Sequence, residues 1–311
     1  MLVISHVMPD ADTLGSALGL AWALRARGIE VRLSCADPLP ERLLFLPGSE
    51  GFAARTRSDE ELVIAVDCSD IERLGPIHDL VHLTQVPLIN IDHHVTNTHF
   101  GDAHLVVERS STAELIYELL CYLGIPLDVP VATCLLAGLV SDTRSFRTSN
   151  TTADSLRTAV ALVKAGASLP WVADALFNHR SRYILPLWGE AFARAQSEDG
   201  LLWTEVSQEM LSRAGADPTA SSGLVNFIST LDGVQVAVVF CEIGGGIVDV
   251  GFRSRPGIDV SRVALALGGG GHPQASGCQV KGSLEEVKAR VLAALREMLP
   301  EASERPIASP V

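Results

Sequence analysis

Acidic and histidine side chains fall in four short clusters, three of them directly behind apolar runs. His6, Asp10 and Asp12 lie in HVMPDADTLGS after Leu2–Ser5, and Asp67 ends LVIAVD. Asp92, His93 and His94 follow Leu88–Ile91, and Asp142 stands in GLVSDT at the end of the apolar run Val129–Val140. Brought together, Asp10, Asp12, Asp67 and Asp142 would crowd four carboxylates into one place. Like charges at close range raise each other's pKa, and buried charge is costly unless it is paired. No Lys or Arg lies inside these motifs to pair them. Two divalent cations would balance the cluster. Carboxylates and imidazoles without thiolate suit Mn²⁺ or a similar ion better than structural zinc. A dinuclear centre of this kind can clamp an in-line displacement at phosphorus and make hydroxide from water.

Each cluster taken alone has a plainer explanation. An Asp after a strand is usually a helix N-cap, and Asp10 and Asp12 precede a helical pattern. A lone pair of histidines is usually a surface or core feature. The weight lies in the conjunction: four separate element ends each carry suitable ligands.

The elements that must position these residues alternate along the first 180 or so positions. Leu2–Ser5, Val31–Ala36, Leu62–Val66 and Leu88–Ile91 are apolar throughout, the pattern of parallel strands covered on both faces. Thr13–Arg27, Ser111–Leu123, Val129–Val140, Thr152–Ala165 and Leu169–Phe177 have helical patterns. This alternation predicts a doubly wound, mainly parallel α/β domain. In such a sheet the loops leaving the carboxyl ends of the strands share one crevice, so the first three clusters should meet there.

The pattern changes after Arg180. Tyr183–Ala195 reads as a helix followed by the polar Ser197–Gly200. Val234–Ile243 and Ile247–Phe252 form a hairpin pattern around Gly244, Gly245 and Gly246, then a glycine run spans Gly268–Gly271. Ser283–Met298 is an amphipathic helix with acidic residues early and basic ones late, the favourable order for its dipole. The expected organisation is a first domain over 1–182, a helical linker over 183–200, a smaller α/β domain over 201–300 and a frayed tail over 301–311.

Length and composition agree with two domains: 311 residues at roughly 150 per domain. A net charge of −13 argues against an extended basic track for long nucleic acid. Aromatic residues are 5%, too few for a long base-stacking platform. Six cysteines show no paired or CxxC spacing, which fits a reducing cytoplasm. No signal-peptide pattern opens the chain, and no apolar run reaches the roughly 18 residues of a membrane helix. The expectation is a cytoplasmic protein without a membrane partner, and a homodimer stays open.

The Asp92-His93-His94 triplet, with HVMPDAD upstream and Asp142 downstream, resembles the DHH phosphoesterase superfamily. GGGGHPQASG at Gly268–Gly277 resembles the GGGH motif of the DHH-associated domain of subfamily 1. SSTAELIYELL at Ser110–Leu120 and FRTSNTT at Phe146–Thr152 look like the nanoRNase and pAp-phosphatase group and the cyclic-dinucleotide phosphodiesterases. The resemblance covers most of the chain. It implies a first metal held by His6, Asp10 and Asp67, and a second held by Asp12, Asp67, His93 and Asp142, with Asp67 bridging. It implies that His94 faces the scissile phosphate and that Asp92 orients the histidines. It implies that Arg253, His272 and the backbone at Gly269, Gly270 and Gly271 meet a substrate phosphate or nucleotide, with the active site in the cleft between the domains. The substrates would be short oligonucleotides, pAp, or linear and cyclic di-AMP, hydrolysed to mononucleotides with two divalent ions, Mn²⁺ first among them.

Two positions depart from the family pattern. Ala11 stands where many members have Gly, and Arg144 and Ser145 replace a glycine-containing run beside Asp142. Arg255, Arg109 and Arg147 are weaker candidates for substrate contact, and His78, His82, His99, His104 and His179 fit no motif. A RecJ-like single-strand exonuclease would share the first-domain motifs but ordinarily carries further nucleic-acid modules. A nucleotide-sensing module that binds without turnover is the alternative from another class, yet every expected ligand is present.

Overall fold

A computed structural model of the chain describes residues 1–53, 59–77, 85–178 and 182–298. The expected tail at 301–311 and the histidines His78, His82 and His179 lie outside the described residues. The chain divides into two units, residues 1–179 and 180–311.

The first unit is built on a six-stranded, wholly parallel sheet. Its strands are β1 (Leu2–Ser5), β2 (Arg32–Ser34), β3 (Phe52–Ala53), β4 (Val63–Val66), β5 (Leu88–Asp92) and β6 (Ala103–Val106), in the order β3-β2-β1-β4-β5-β6. The short outer strands β3 and β6 carry no strong apolar run, and the sequence pattern did not signal them. The central strands are apolar on both sides because both sides are covered. Val3, Ile64 and Val66 join the core beneath the main helices, while Leu2, Ile4, Val63 and Ala65 pack with Leu74 and Ile77 on the other face. The order of the strands reverses between β1 and β4, the place where a doubly wound sheet opens its crevice.

Helix α1 (Ala11–Arg25) lies almost entirely buried against this sheet. It is joined by α2 (Thr112–Tyr122), α3 (Val129–Asp142), α4 (Ala153–Lys164) and α5 (Leu169–Phe177). A glycine sets how closely these helices approach. A Cβ on Gly138 would lie 2.5 Å from Asp12 Oδ1 and 2.7 Å from Ala113 Cβ, so only glycine lets α3 pass both α1 and α2 here. One turn later α3 ends on Asp142, at the start of α1. Among the described residues no single helix is long and apolar enough to cross a membrane.

The second unit holds a mixed six-stranded sheet in the order β11-β12-β10-β9-β8-β7. The strands are β7 (Gln196–Glu198), β8 (Leu201–Val206), β9 (Val236–Gly244), β10 (Ile247–Ser254), β11 (Gly270–His272) and β12 (Ala275–Lys281). Only β8 and β9 run parallel; the other pairs are antiparallel. The expected hairpin is β9 and β10. Strand β9 alternates: Val236, Val238 and Phe240 pack under α9 (Ser261–Ala266) and α10 (Leu284–Met298), and Ala237, Val239 and Cys241 face the opposite core. That second core includes α6 (Ile184–Ala193), α7 (Gln208–Ala214) and α8 (Leu224–Ile228). The helix expected within a linker is therefore a packed part of this unit, with Leu187 and Ala191 buried.

Candidate metal centre

Three of the four clusters leave neighbouring strands. His6 follows β1, Asp67 follows β4, and Asp92 ends β5 with His93 and His94 behind it. Because β1, β4 and β5 are adjacent, their carboxyl ends bring these residues together at the switch point. Asp10 and Asp12 arrive at the start of α1 and Asp142 at the end of α3.

The two oxygens of Asp67 face different partners. Oδ2 lies 3.6 Å from His6 Nε2, and Oδ1 lies 3.5 Å from His93 Nε2. Around the first imidazole stands Asp10, with Oδ1 3.8 Å from His6 Nε2. Around the second stand Asp142 at 3.3 Å and Asp12 at 3.9 Å from His93 Nε2. His6, Asp10 and Asp67 offer ligand atoms within 4.8 Å of one another, as do Asp12, Asp67 and His93. All six residues expected to hold metal are thus gathered, and Asp67 is shared by both groups.

The donor chemistry fits cations in both places. His6 Nδ1 donates to Val7 O at 2.7 Å, and His93 Nδ1 donates to Arg109 O at 3.1 Å. Fixing the proton on Nδ1 turns the lone pair of each neutral ring to Nε2, toward carboxylate oxygens that are themselves acceptors. Burial, then the neighbouring His94, pushes His93 below the ordinary histidine range, which favours this neutral form. Acceptors that face each other at these distances repel unless a cation lies between them. The carboxylates register the same strain. Burial, then the charges of Asp67 and Asp10, pushes Asp12 well above the usual range, against the hydrogen bonds from Ala113 and Thr112. Burial, then Asp12, Asp10, Asp67 and Asp92, does the same to Asp142. Asp67 goes the other way: burial alone would raise it, but His6, His94 and His93, in their protonated forms, more than offset this and hold it well below the carboxylate range.

The plainer explanation for Asp10 also holds. Its Oδ1 accepts from Asp12 N at 2.9 Å and Thr13 N at 3.1 Å, capping α1, while its side chain stays 48% exposed on the His6 side. Capping leaves the same carboxylate placed to serve as a ligand.

His94 differs from its neighbour. Its Nδ1 donates to Asp92 Oδ1 at 2.7 Å. Burial lowers its pKa, but the Asp92 hydrogen bond and the charges of Asp67 and Asp92 win and raise it to about 9. Asp92 is in turn held by Asn97 Nδ2 at 2.5 Å from Oδ2, and Asn97 also reaches Asn90 Oδ1 and Cys68 O. Asp92 thus accepts from His94, and the carbonyl of Arg109 accepts from His93.

Three further residues escaped the sequence reading. Thr112 binds both Asp12 and Asp67, Asn97 donates to Asp92, and Asn90 accepts from Asn97. The only signal for Thr112 was its place in SSTAEL, just behind the helix-capping Ser111. Nothing in the local sequence marks the asparagines, which also tie this segment to the carbonyl of Cys68.

In the second unit, Arg253 lies on β10 and donates from Nε to Asn226 Oδ1 and from a terminal nitrogen to Phe252 O, both at 2.7 Å. It borders a cavity of about 200 Å³ together with Ser222, Asn226, Asp249 and Gly251. The glycine run is not a loop of open amides. Gly268 N and Gly269 N donate to Leu265 O and Ala264 O and so close the end of α9, while Gly270, Gly271 and His272 form β11. A Cβ on Gly269 would lie 2.1 Å from Gly277 O, so this glycine is required by close packing on β12. Of the three backbone amides expected to meet a phosphate there, that of Gly269 is committed to the end of α9. Arg255, Arg109 and Arg147 donate to Val234 O, Glu118 and Arg144 O respectively.

Comparison with known proteins agrees with this architecture. Residues 1–139 match the model of the DHH family, N-terminal domain, and residues 201–301 match that of the DHHA1 domain. The chain is 35% identical to the bifunctional oligoribonuclease and PAP phosphatase NrnA of Thermus thermophilus, over 96% of this chain and 90% of that protein. It is 32% identical to the protein of the same name from Bacillus subtilis, over 95% and 93%. An exopolyphosphatase-related protein from Bacteroides fragilis shares the fold, with a TM-score of 0.88 at 24% identity over 97% of this chain and 93% of that one.

Proposed function

Because the chain belongs to the DHH family and joins that domain to a DHHA1 domain, we propose that it hydrolyses short oligonucleotides, pAp or linear and cyclic di-AMP to mononucleotides. The observation that carries the reading is the division of Asp67 between two ligand groups, Oδ2 toward His6 and Asp10, Oδ1 toward His93, Asp12 and Asp142. Two divalent ions, Mn²⁺ by preference, would be held there, and when bound they supply charge neutralisation at the reacting phosphate and a hydroxide at neutral pH.

The chain's own residues do the rest. Against burial, the Asp92 hydrogen bond favours the protonated form of His94, whose second ring N–H can then bond a phosphate oxygen as negative charge builds on it. Asp92 fixes the ring's tautomer and angle, and Asn97 fixes Asp92. With Nδ1 donating to a carbonyl, His6 and His93 can each turn Nε2 toward a metal, and burial favours the neutral form of His93. In the second unit Arg253 would grip the far end of the substrate, with His272 beside the phosphate. A second grip on the far end favours substrates of a few nucleotides, and a chain at −13 gives a longer strand little to bind.

The test is one substrate panel with metal-stripped protein: a 2-mer, a 5-mer, a 24-mer, pAp and cyclic di-AMP, with and without Mn²⁺. Hydrolysis that needs added metal and favours the short substrates is expected. Full activity in chelator, equal efficiency on the 24-mer, or tight binding of every substrate without turnover would each overturn the reading.

A further inference from the structure

We propose that Thr112 is a positioning residue that holds the shared carboxylate of Asp67 for the ion on the His93 side; this rests on the reading of the site as a dinuclear centre. Thr112 is fully buried and donates its hydroxyl to Asp67 Oδ1 at 2.8 Å. Its backbone N–H donates to Asp12 Oδ2 at 2.6 Å, and Ala113 N donates to Asp12 Oδ1 at 2.9 Å. One residue at the start of α2 therefore touches two of the carboxylates that face His93.

The hydroxyl is not needed to start the helix. Ser111 already caps α2, its side chain accepting from Glu114 N at 3.1 Å. Nor is the site short of charged alternatives in principle. An Arg or Lys in this place would neutralise Asp67 and compete with a metal, whereas a hydroxyl fixes one oxygen and leaves its charge for the ion. Asp67 needs such a hold, because its backbone is left-handed at φ 62, an arrangement that a non-glycine residue keeps only when its surroundings impose it. The hydroxyl grips Oδ1, the oxygen facing His93, and not Oδ2, the oxygen facing His6. The effect of losing it is thus confined to one ion.

The experiment compares wild type, Thr112→Val and Thr112→Ser as full chains. Valine keeps the shape and the backbone N–H but has no hydroxyl; serine keeps the hydroxyl. Mn²⁺ is titrated into each metal-stripped protein and followed by calorimetry and by the EPR signal of unbound Mn²⁺. Wild type and the serine variant are expected to bind two ions alike. The valine variant should bind the first ion unchanged and the second about 10–100-fold more weakly. Its kcat on a dinucleotide should fall with KM little changed, and recover as Mn²⁺ is raised, which a general loss of packing does not produce. Thr112→Ala gives the same comparison should valine fail to pack. A hydroxyl-free variant that binds both ions as wild type does, or a serine variant as impaired as the valine one, overturns the proposal. A wild type that binds no ions overturns the dinuclear reading itself, and the two failures are told apart before any variant is measured.

Discussion

His94 Nδ1 stands 2.7 Å from Asp92 Oδ1, while the adjacent His93 turns its Nδ1 to a backbone carbonyl. Burial draws His93 toward the neutral form, while the Asp92 hydrogen bond, against burial, draws His94 toward the cation. In the metal-stripped protein His94 should stay protonated until pH about 9. A group whose folded pKa is raised contributes stability that is complete below its unfolded pKa, about 6.5, and is lost as pH rises through the folded value. Stability of the metal-stripped chain should therefore decline between roughly pH 6.5 and 9. Asp92→Asn should shift the His94 titration down. NMR of the imidazole resonances in both proteins checks this, and an unmoved titration in the variant would remove Asp92 from the account.

The histidines should also separate by substitution. His93→Ala should lower metal content, since it removes a ligand beside three carboxylates. His94→Ala should keep its metal and lose about 10²–10³ in kcat, the usual cost of one transition-state hydrogen bond. Asp67→Ala should be the most damaging change, lowering both metal occupancies. Metal analysis beside kcat decides it; equal metal loss in the two histidine variants would show the roles misassigned.

Arg253 supplies a test of substrate length. Arg253→Ala should lower kcat/KM on a dinucleotide by about 10- to 100-fold, the loss of one charge-assisted hydrogen bond. Hydrolysis of a small generic phosphodiester should fall far less, and metal content should not change. Equal losses on both substrates would place Arg253 outside the substrate grip.

Beside Asp142, three consecutive non-glycine residues are left-handed: Arg144 at φ 47, Ser145 at φ 59 and Phe146 at φ 63. The loop keeps the shape that a glycine would take more easily, tied by Ser145 N to Val140 O and Phe146 N to Thr143 Oγ1. Such a conformation costs roughly 1–2 kcal/mol per residue. Ser145→Gly should therefore stabilise the chain by about 1 kcal/mol, read from the urea midpoint, with metal binding retained. A lower midpoint would mean that the serine side chain contributes more than its backbone costs.

The candidate metal ligands were legible in the sequence because each sits next to a strong local pattern. An apolar strand or helix announces its own end, and the parallel-sheet rule then sends His6, Asp67 and the Asp92–His94 triplet to one edge. The central strands and long helices were legible for the same reason. Short edge strands such as β3, β6 and β11 were not, since two to four residues carry too little periodicity to be read.

Contacts between distant segments belong to the tertiary structure alone. No spacing rule links Thr112 to Asp67, 45 positions earlier, or Asn97 to the carbonyl of Cys68. The glycines at Gly268 and Gly269 have the composition of an anion loop, but their amides close a helix because α9 ends just before them. Residue type and position at element ends were enough to mark which side chains could bind metal. Which oxygen faces which imidazole, which histidine is drawn toward the neutral form and which toward the cation, and what holds each carboxylate were decided by packing. Those properties depend on distances of a few ångströms between residues that the chain brings together only when folded.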